Sequence, residues 1–563
     1  MGQCANVPIL INLKLFTISI GICYISNIIL IFVFVLKNNR DMETTPIRKL
    51  PVGIQDFTSL REDGYLYVDK TALVYKMVTT GKPYFLSRPR RFGKSLLLST
   101  LEAYFLGRKD LFKGLAIEQL EKEWKVYPVL HLSLNAKFYE TKESLEQILE
   151  GHFIQWEKLF GKTDEELGYE ERFMQIIQQA CEKTGEKVVV LIDEYDKPLL
   201  RTLFNDDLHN VYREMLTGFY TVLKDADRYL RFVFITGVTK FSQLGIFSTL
   251  NQLMDISMAP AYATVCGMTK VEIERDFQPE LAALAARNKL TYEQTVNEMT
   301  KRYDGYHFSE FLADGIYNPF SVLNALVQER FSSYWFATGT PTMLVDMLKK
   351  TDYDLRQLDG MEVPAAALTD YRADFHNPVP IIYQSGYLTI KGYDPIKNFF
   401  ILDYPNAEVE YGWLNFITPY YTPLSESIAP FYIGKFWDEL RAGDVDAFME
   451  RLRAFFADIP YELNDRTERH YQIIFYLVFK LLGQYVDAEV RSARGRADAV
   501  VKTTDYIYVF EFKLSGSVDE ALRQIDDRGY LIPYTVDGRQ LVKVGADFNK
   551  EDRNIGDWKA VFC

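Results

Sequence analysis

The first half of the sequence contains three short apolar runs that predict buried strands. These runs are Tyr84–Leu86, Val188–Ile192 and Arg231–Ile235. The second run is apolar at every position, which is typical of a parallel strand covered on both faces. An apolar helical segment, Leu96–Phe105, follows the first run after a loop. This order of strand, loop and helix predicts an α/β fold built on a parallel sheet.

The loop between the first strand and its helix has the composition of a phosphate-binding loop. It runs through Arg88, Pro89, Arg90, Arg91, Phe92, Gly93, Lys94 and Ser95. In such a loop, backbone N–H groups and the helix N-terminus direct positive charge at the β- and γ-phosphates, and Gly93 permits the close approach. Lys94 would reach the β/γ oxygens, and the Ser95 hydroxyl would bind Mg²⁺. The full motif is not met, because Arg88 stands at the position of its first glycine.

Two acids directly follow the second strand. Asp193 and Glu194 lie at its carboxyl end, which is where ligands bind in parallel sheets of this kind. We expect Asp193 to hold the Mg²⁺ shell and Glu194 to polarise the attacking water as general base. After the third strand, Thr236 or Thr239 would sense the γ-phosphate. The alternative interpretation is a buried strand that ends by chance in solvated acids.

Other charged residues flank this predicted site. Arg88, Arg90 and Arg91 would either neutralise charge in the transition state or strengthen ground-state binding of the phosphates. Asp196 and Lys197 are interpreted as a surface ion pair and rank below the others.

The length and composition indicate a globular protein of several domains. At 563 residues the chain is too long for one hydrophobic core, so two or three domains are expected. Apolar residues make up 48% and charged residues 25%, which is the balance of a folded protein. The net charge of −13 excludes a uniformly basic surface, so nucleic-acid contacts would need local Lys/Arg clusters. The scattered cysteines favour reduced thiols in a cytoplasmic protein.

The N-terminal segment has two main interpretations, and a cleaved signal ranks below both because the apolar run is too long. The run Leu15–Leu36 carries no charge and is long enough to cross a bilayer. Lys37 and Arg40 after it would keep the rest of the chain on the cytoplasmic side. The other interpretation is a true start at Met42, after which a typical soluble sequence begins. Residues 1–41 are therefore either a mis-assigned extension or a membrane anchor, and a membrane contact is expected only if they are translated.

The middle of the chain shows helical patterns and frequent aromatic residues but no catalytic motif. The helical patterns cover Lys270–Phe277, Thr291–Tyr303 and Pro319–Phe331. We expect His307 and the aromatic residues in Tyr303–Phe308 to pack in the protein interior in preference to contacting a substrate.

Near the C-terminus, a predicted hairpin carries a second group of candidate catalytic residues. Its strands are Arg496–Val501 and Tyr506–Lys513. A turn centred between Thr503 and Thr504 would pair Asp498 with Val509. That register places Asp498 on the face that also carries Glu511 and Lys513.

Two carboxylates and an ammonium on one face of a hairpin have the chemistry of a metal-dependent hydrolase. Asp498 and Glu511 could share one Mg²⁺, which would lower the pKa of a bound water while Lys513 orients that water. Gln524 lies on the following helix, which a capping box at Ser517 begins. Glu468, on the first turn of an upstream helix, is a further candidate ligand. The spacing alone is weak evidence, because structural ion pairs produce it readily.

Several motifs together resemble a bacterial family of AAA-ATPase-like proteins with a C-terminal PD-(D/E)XK nuclease-like domain. The motifs are Leu50–Phe57, Tyr67–Thr71, Arg88–Ser95, Leu191–Asp196, Tyr303–Phe308, Gly495–Asp498 and Glu511–Lys513. The resemblance covers about residues 45 to 560. It implies that the loop is the family's usual phosphate loop, that the middle packs beside the nucleotide as a lid, and that Asp498, Glu511, Lys513 and Gln524 form an intact nuclease set.

The expected architecture is α/β: a P-loop NTPase parallel sheet with a helical lid, and a C-terminal α/β nuclease-like domain. We expect an ATPase domain over 42–266, a lid or linker over 267–435 and the nuclease-like domain over 436–563. The expected cofactors are ATP and Mg²⁺, with Mn²⁺ as a substitute in the nuclease, and the expected partner is DNA or another nucleic acid. A homo-oligomer is compatible with this organisation. The alternative function is a nucleotide-switched module that binds nucleic acid or protein without catalysis.

Overall fold

The computed structural model describes residues 48–81, 83–135, 138–163, 167–240, 253–311, 314–336, 342–351, 353–369, 377–422, 429–458, 468–483, 498–513, 516–549 and 554–563. The apolar run Leu15–Leu36 and the alternative start at Met42 lie outside these residues. Within the described ranges, no helix is both long and apolar enough to cross a bilayer.

The N-terminal part is built on a five-stranded parallel sheet, which confirms the predicted fold class. Its strands are β1 (Pro83–Ser87), β2 (Val129–Ser133), β3 (Val188–Asp193), β4 (Leu230–Gly237) and β5 (Met254–Asp255). Their order across the sheet is β2-β3-β4-β1-β5, and every neighbouring pair is parallel. Each residue of β3 is buried, as its apolar run predicts. Because all strands are parallel, the ends of β1, β3 and β4 meet at one edge of the sheet.

The helices of this part are α1 (Phe57–Glu62), α2 (Thr71–Thr80), α3 (Lys94–Phe105), α4 (Ala116–Leu120), α5 (Lys142–Phe160), α6 (Tyr169–Thr184), α7 (Lys197–Thr202) and α8 (Asp206–Asp225). The predicted phosphate loop connects β1 to α3. Helix α3 buries Leu97, Leu98 and Leu101 in the core, which anchors the end of the loop.

The middle part is mainly helical. Its helices are α9 (Lys270–Asp276), α10 (Gln278–Asn288), α11 (Tyr292–Tyr303), α12 (Pro319–Gln328), α13 (Thr342–Lys350), α14 (Ala365–Thr369), α15 (Val379–Gln384) and α16 (Ala407–Ile417). Capping boxes at Thr269 and Thr291 begin α9 and α11, and the Asn318 side chain caps α12. An antiparallel sheet of order β6-β8-β7 lies among them, with strands β6 (Met361–Pro364), β7 (Thr389–Asp394) and β8 (Phe399–Asp403).

The C-terminal part contains a mixed four-stranded sheet of order β12-β11-β10-β9. Its elements are α17 (Ala429–Ala442), α18 (Val445–Ala457), α19 (Glu468–Leu482), β9 (Ala499–Lys502), β10 (Tyr506–Lys513), α20 (Val518–Asp527), β11 (Gln540–Asn549) and β12 (Asn554–Phe562). Strands β10 and β11 are parallel, while the two outer pairs are antiparallel.

The predicted hairpin of β9 and β10 forms, but its predicted register is wrong by two residues. Val500 pairs with Val509 and Ala499 with Phe510, so the same register, continued by one residue, places Asp498 opposite Glu511 instead of Val509. The Thr503 N–H donates to the Tyr506 carbonyl at 2.8 Å, which centres the turn one position later than predicted. A shift of two residues leaves Asp498 on the predicted face, because side chains alternate with a period of two.

One continuous cluster of buried apolar side chains joins the three parts of the chain. It extends from Phe57 in α1, through Trp413 in α16, to Ile555 in β12.

Candidate functional site

Gly93 gives the phosphate loop its bend. It has φ +89°, a left-handed conformation that glycine adopts readily, and it directly precedes α3. A Cβ atom at this position would meet no heavy atom within 4 Å. Glycine is therefore needed here for the backbone conformation, and the open side of the loop leaves room for a phosphate group.

The Lys94 ammonium occupies the centre of the loop. Its side chain is 8% exposed, and its Nζ donates to the carbonyl oxygens of Arg88 at 2.9 Å and Pro89 at 3.1 Å. Burial lowers the pKa of Lys94, and the charges of Asp193 and Asp196 oppose that shift. The loop thus encloses a cation that could exchange its carbonyl partners for phosphate oxygens.

Ser95 and Asp193 connect the loop to the end of β3. The Ser95 hydroxyl donates to Asp193 Oδ2 at 2.7 Å, and Asp193 Oδ1 accepts the Glu194 N–H at 2.9 Å. The hydroxyl and carboxylate are both oxygen ligands of the kind that Mg²⁺ prefers. The structure therefore brings together the two residues that the sequence assigns to one metal shell.

Glu194 lies beside this pair in a strained conformation. Its φ is +53°, which is uncommon for a residue with a side chain and is concentrated at functional sites. Its Oε2 pairs with Lys197 Nζ at 2.8 Å, and Lys197 also donates to the Asn135 side chain. The carboxylate is half-buried and lines the same cavity as Lys94.

Asp196 is not the surface residue that the sequence suggested. It is 1% exposed, and its Oδ2 accepts the N–H of Val238 at 3.0 Å and both the N–H and hydroxyl of Thr239 at 2.6 Å. Burial raises the pKa of Asp196, which these hydrogen bonds partly offset. Asp196 thereby ties the end of β3 to the end of β4.

The predicted γ-phosphate contact from Thr236 also needs correction. Thr236 is fully buried, and its hydroxyl donates to the Leu86 carbonyl at 2.7 Å within the sheet. Thr239 is buried against Asp196. Both hydroxyls thus stabilise the sheet edge, while Val238 between them lines the large cavity.

Arg88 and Pro89 support the loop from behind instead of facing the phosphate position. The Arg88 guanidinium donates to the Ser257 carbonyl at 2.6 Å and lies 4.0 Å from the centre of the Phe308 ring. Its burial lowers the pKa of Arg88 to about 10. Both residues line a separate cavity of about 40 Å³, and Pro89 packs closely on Gly386. We therefore withdraw Arg88 and Pro89 as direct phosphate ligands.

The other loop residues line a much larger cavity of about 1080 Å³, which is large enough for a nucleotide. They are Arg90, Arg91, Phe92, Gly93, Lys94 and Ser95. The rest of the lining includes Pro51 and residues 53–55 of the N-terminal segment, and aromatic residues of the middle part such as Phe320 and Trp335.

The middle part contacts the phosphate loop at the backbone of Arg90 and at the side chain of Arg91. Trp335 Nε1 donates to the Arg90 carbonyl at 3.2 Å, and the Arg91 guanidinium lies 4.0 Å from the centre of the Phe320 ring. Phe92 packs edge-on against Tyr306 at 4.8 Å between ring centres. The buried aromatic packing predicted for Tyr303–Phe308 is therefore observed.

Glu408 fixes the backbone at Trp335, the residue that bonds to the loop. The sequence analysis did not identify Glu408. It is 4% exposed, accepts the Trp335 N–H at 2.8 Å and the Ser321 hydroxyl at 2.7 Å, and also accepts the Tyr334 N–H. Burial raises the pKa of Glu408 to about 7, and these hydrogen bonds limit the rise. A carboxylate following a loop carries no sequence pattern that distinguishes it from an exposed helix cap.

The second candidate site lies at the end of β10. Asp498 Oδ2 accepts the Phe512 N–H at 2.8 Å, and Lys513 Nζ lies 3.1 Å from Glu511 Oε1. Lys513 also donates to the Gln524 side-chain oxygen from α20. The structure thus brings together all four residues that the sequence assigned to this site.

The surroundings raise the pKa of both carboxyl groups in this cluster. Burial raises the pKa of Asp498, opposed by the Phe512 N–H and the charges of Lys513 and Arg356. Burial and the nearby Asp498 charge raise the pKa of Glu511 to about 7, and Lys513 limits the rise. Glu511 is 3% exposed, and its Oε2 has no hydrogen-bond partner among the described residues.

A divalent cation fits this arrangement, because it would satisfy the orphaned oxygen and neutralise both carboxylates. In the part of the chain that the structure describes, no three His, Cys, Asp or Glu side chains gather as a complete ligand set. Asp498 and Glu511 would therefore supply two ligands. The side chain of Glu468, the further candidate, lies outside the described atoms.

Comparisons with known proteins match the two regions of the chain that contain the candidate sites. The description "predicted AAA-ATPase" matches residues 51–247, and the PD-(D/E)XK nuclease superfamily matches residues 466–558. The chain is also 35% identical over 518 residues to a protein of Azotobacter chroococcum mcd 1, described as an uncharacterized protein in the vnfD 5' region. That similarity covers 90% of this chain and 98% of the relative.

Proposed function

Since this chain belongs to the predicted AAA-ATPase family that carries a C-terminal PD-(D/E)XK nuclease-superfamily domain, we propose that it hydrolyses ATP to control a metal-dependent nuclease. The observation that carries the proposal is the hydrogen bond between Ser95 and Asp193, which joins the phosphate loop to the acid at the end of β3. The second site supports the nuclease half, because Lys513 contacts both Glu511 and Gln524, and Asp498 accepts the N–H of Phe512 between Glu511 and Lys513.

In the proposed ATPase, Lys94 exchanges the loop carbonyls for phosphate oxygens of ATP. Ser95 and Asp193 would hold Mg²⁺, which when bound neutralises charge that develops on the phosphates. Glu194 is assigned as the general base that orients and deprotonates the attacking water. Arg90 and Arg91, at the cavity wall, add positive charge beside the phosphates.

In the proposed nuclease, Asp498 and Glu511 would hold Mg²⁺ or Mn²⁺, which when bound lowers the pKa of a coordinated water. Lys513 orients the attacking group, and Gln524 fixes the position of the Lys513 ammonium. We take DNA as the substrate to test first, and defence against foreign DNA or control of mobile elements as the working biological role.

The ATPase assignment is tested by Glu194→Gln in the full chain, with phosphate release and nucleotide binding measured separately. We expect turnover to fall by at least about 100-fold while ATP affinity stays within about threefold, because a base affects chemistry more than ground-state binding. Glu298→Gln is the matched control, since it removes a short-range helix ion pair with Arg302 away from the cavity. Unchanged turnover in Glu194→Gln would refute the assignment.

The nuclease assignment is tested by Asp498→Ala with labelled DNA and RNA, with Mg²⁺ or Mn²⁺, and with or without ATP. Cleavage should fall below detection, while Asp526→Ala, which removes an exposed carboxylate from α20, should cleave normally. Ordinary cleavage by Asp498→Ala would eliminate the proposed site. A wild-type chain that binds ATP and nucleic acid but cleaves neither would instead support the non-catalytic, nucleotide-switched function.

A further inference from the structure

Helix α19 packs on β10 of the nuclease-like sheet in an antiparallel sense. Its Phe475 ring lies 4.3 Å from the Phe512 ring, and its Phe479 ring lies 5.1 Å from the Phe510 ring, between ring centres. The earlier residue of the helix thus meets the later residue of the strand. The N-terminal end of α19 therefore lies at the end of β10 that carries the candidate catalytic residues.

The segment Asp354–Asp359 of the middle part runs along another face of the same helix. The Arg356 guanidinium donates to Gln472, while Asp359 accepts the Tyr476 hydroxyl at 3.0 Å and pairs with Lys480 at 2.7 Å. These three helix positions are four residues apart and thus form one stripe. Arg356 contacts the member of this stripe nearest the catalytic end.

The Arg356 guanidinium is held in a fixed orientation. Its Nε and Nη2 donate to the two oxygens of Asp354 at 2.9 and 2.8 Å, and Nη1 donates to Gln472. A guanidinium has five N–H donors, so these three bonds leave donors to contact another group. The side chain is 24% exposed, and its charge acts on Asp498.

We propose that Arg356, contributed by the middle part of the chain, contacts the phosphodiester backbone of the nucleic acid at the candidate nuclease site. The inference rests on the proposed nuclease function and adds a residue outside the nuclease-superfamily match. A planar guanidinium oriented by a carboxylate suits two-point recognition of phosphate oxygens. Its positive charge, which acts on Asp498, also gives this site of negatively charged residues a local attraction for a polyanion.

This assignment makes the nuclease site composite. The part of the chain that supplies Arg356 also supplies Trp335, which bonds to the phosphate loop. The middle part thus contacts the phosphate loop through Trp335 and the candidate nuclease site through Arg356. Substrate binding tests the placement of Arg356 directly.

The experiment measures the affinity of the full chain for a labelled DNA duplex and a labelled single strand, with Ca²⁺ in place of Mg²⁺. Arg356→Ala should weaken binding by about 10- to 100-fold, as expected for losing a charged hydrogen bond. The slope of log affinity against log salt should fall by about one, which a purely structural change would not produce. Arg356→Gln retains an amide donor for Asp354 but lacks the charge, so it should show the same reduced salt slope as Arg356→Ala.

Arg539→Ala is the matched control, because Arg539 makes the same paired contact with a carboxylate two residues earlier, Asp537. It should bind within about twofold of wild type. Wild-type affinity and salt slope in both Arg356 variants, with unchanged melting temperature, would overturn the inference. So would a wild-type chain that binds neither nucleic acid. A chain that binds through Arg356 but never cleaves would contradict only the nuclease function.

Discussion

Replacing Glu408 by glutamine should stabilise the protein at neutral pH. The Glu408 Oε1 atom accepts the N–H groups of Tyr334 and Trp335, and its Oε2 accepts the Ser321 hydroxyl. In Glu408→Gln, the amide oxygen can keep the two N–H groups, while the amide nitrogen donates to the Ser321 oxygen. The substitution therefore removes a buried charge while Tyr334, Trp335 and Ser321 each keep a hydrogen bond to residue 408.

The pKa of Glu408 determines how much Glu408→Gln should stabilise the protein. One pKa unit corresponds to about 1.36 kcal/mol, so a rise from 4.5 to about 7 means that the ionised side chain destabilises the fold by about 3 kcal/mol. The folded protein holds the Glu408 proton more tightly than the unfolded chain. The destabilisation is thus nearly absent at pH 4.5, grows between pH 4.5 and 7, and is complete above pH 7.

The assay is thermal unfolding of the full chain across this pH range. At pH 8, Glu408→Gln should melt about 6–12 °C above wild type if the cooperative unit has 150–250 residues, and the difference should nearly vanish at pH 4.5. Glu362→Gln is the control, because Glu362 is an exposed carboxylate on β6 and should leave the pH profile unchanged. A pH-independent difference, or a Glu408→Gln protein that is less stable at pH 8, would refute this account of Glu408.

Three further predictions concern the two sites. Asp196→Ala should lower the free energy of unfolding by about 2–4 kcal/mol in urea titrations, because it leaves the Thr239 N–H and neighbouring donors without an acceptor. Gly386→Ala should weaken nucleotide binding by about tenfold in a fluorescence titration, because φ is +92° and the new Cβ would lie 2.6 Å from Pro89 behind the phosphate loop. Mn²⁺ affinity by calorimetry should fall about tenfold from pH 8 to pH 6, because the Glu511 carboxyl, with a pKa of about 7, must lose its proton to bind metal.

Matched variants separate these effects from general damage. Asp207→Ala on the first turn of α8 should leave stability within about 0.5 kcal/mol. Gly434→Ala, where a Cβ meets no heavy atom within 4 Å, should bind nucleotide normally. Glu511→Gln should abolish the tenfold pH dependence. Each prediction fails if the control and the test variant behave alike.

Local order in the sequence was sufficient to predict which residues lie together at the centre of each candidate site. Lys94 and Ser95 lie on a strand-loop-helix unit, and Asp193 ends an apolar strand of the same parallel sheet. Parallel strands bring such ends to one edge, so no knowledge of distant contacts was needed. Alternation along the two strands of the β9–β10 hairpin likewise kept Asp498, directly before β9, on the face of Glu511, although the register was wrong by two residues.

The incorrect or missing predictions involve partners that are distant in sequence. Arg88 looked like a phosphate ligand because its carbonyl partner, Ser257, lies far along the chain. Asp196 looked exposed for the same reason, since Thr239 reaches it only when β3 and β4 pair. Periodicity and local motifs carry no information about such contacts, which depend on how separate elements pack.

The two-sided packing of α19 has a practical consequence for dissecting the protein. A fragment that begins after Lys435, at the predicted domain boundary, would lack Asp359 and Glu410, the two carboxylates that pair with Lys480. It would also uncover the side of the helix that the middle part shields from water. Excising the nuclease-like piece would therefore yield a poorly soluble protein without Arg356, and its inactivity would say little about the intact chain.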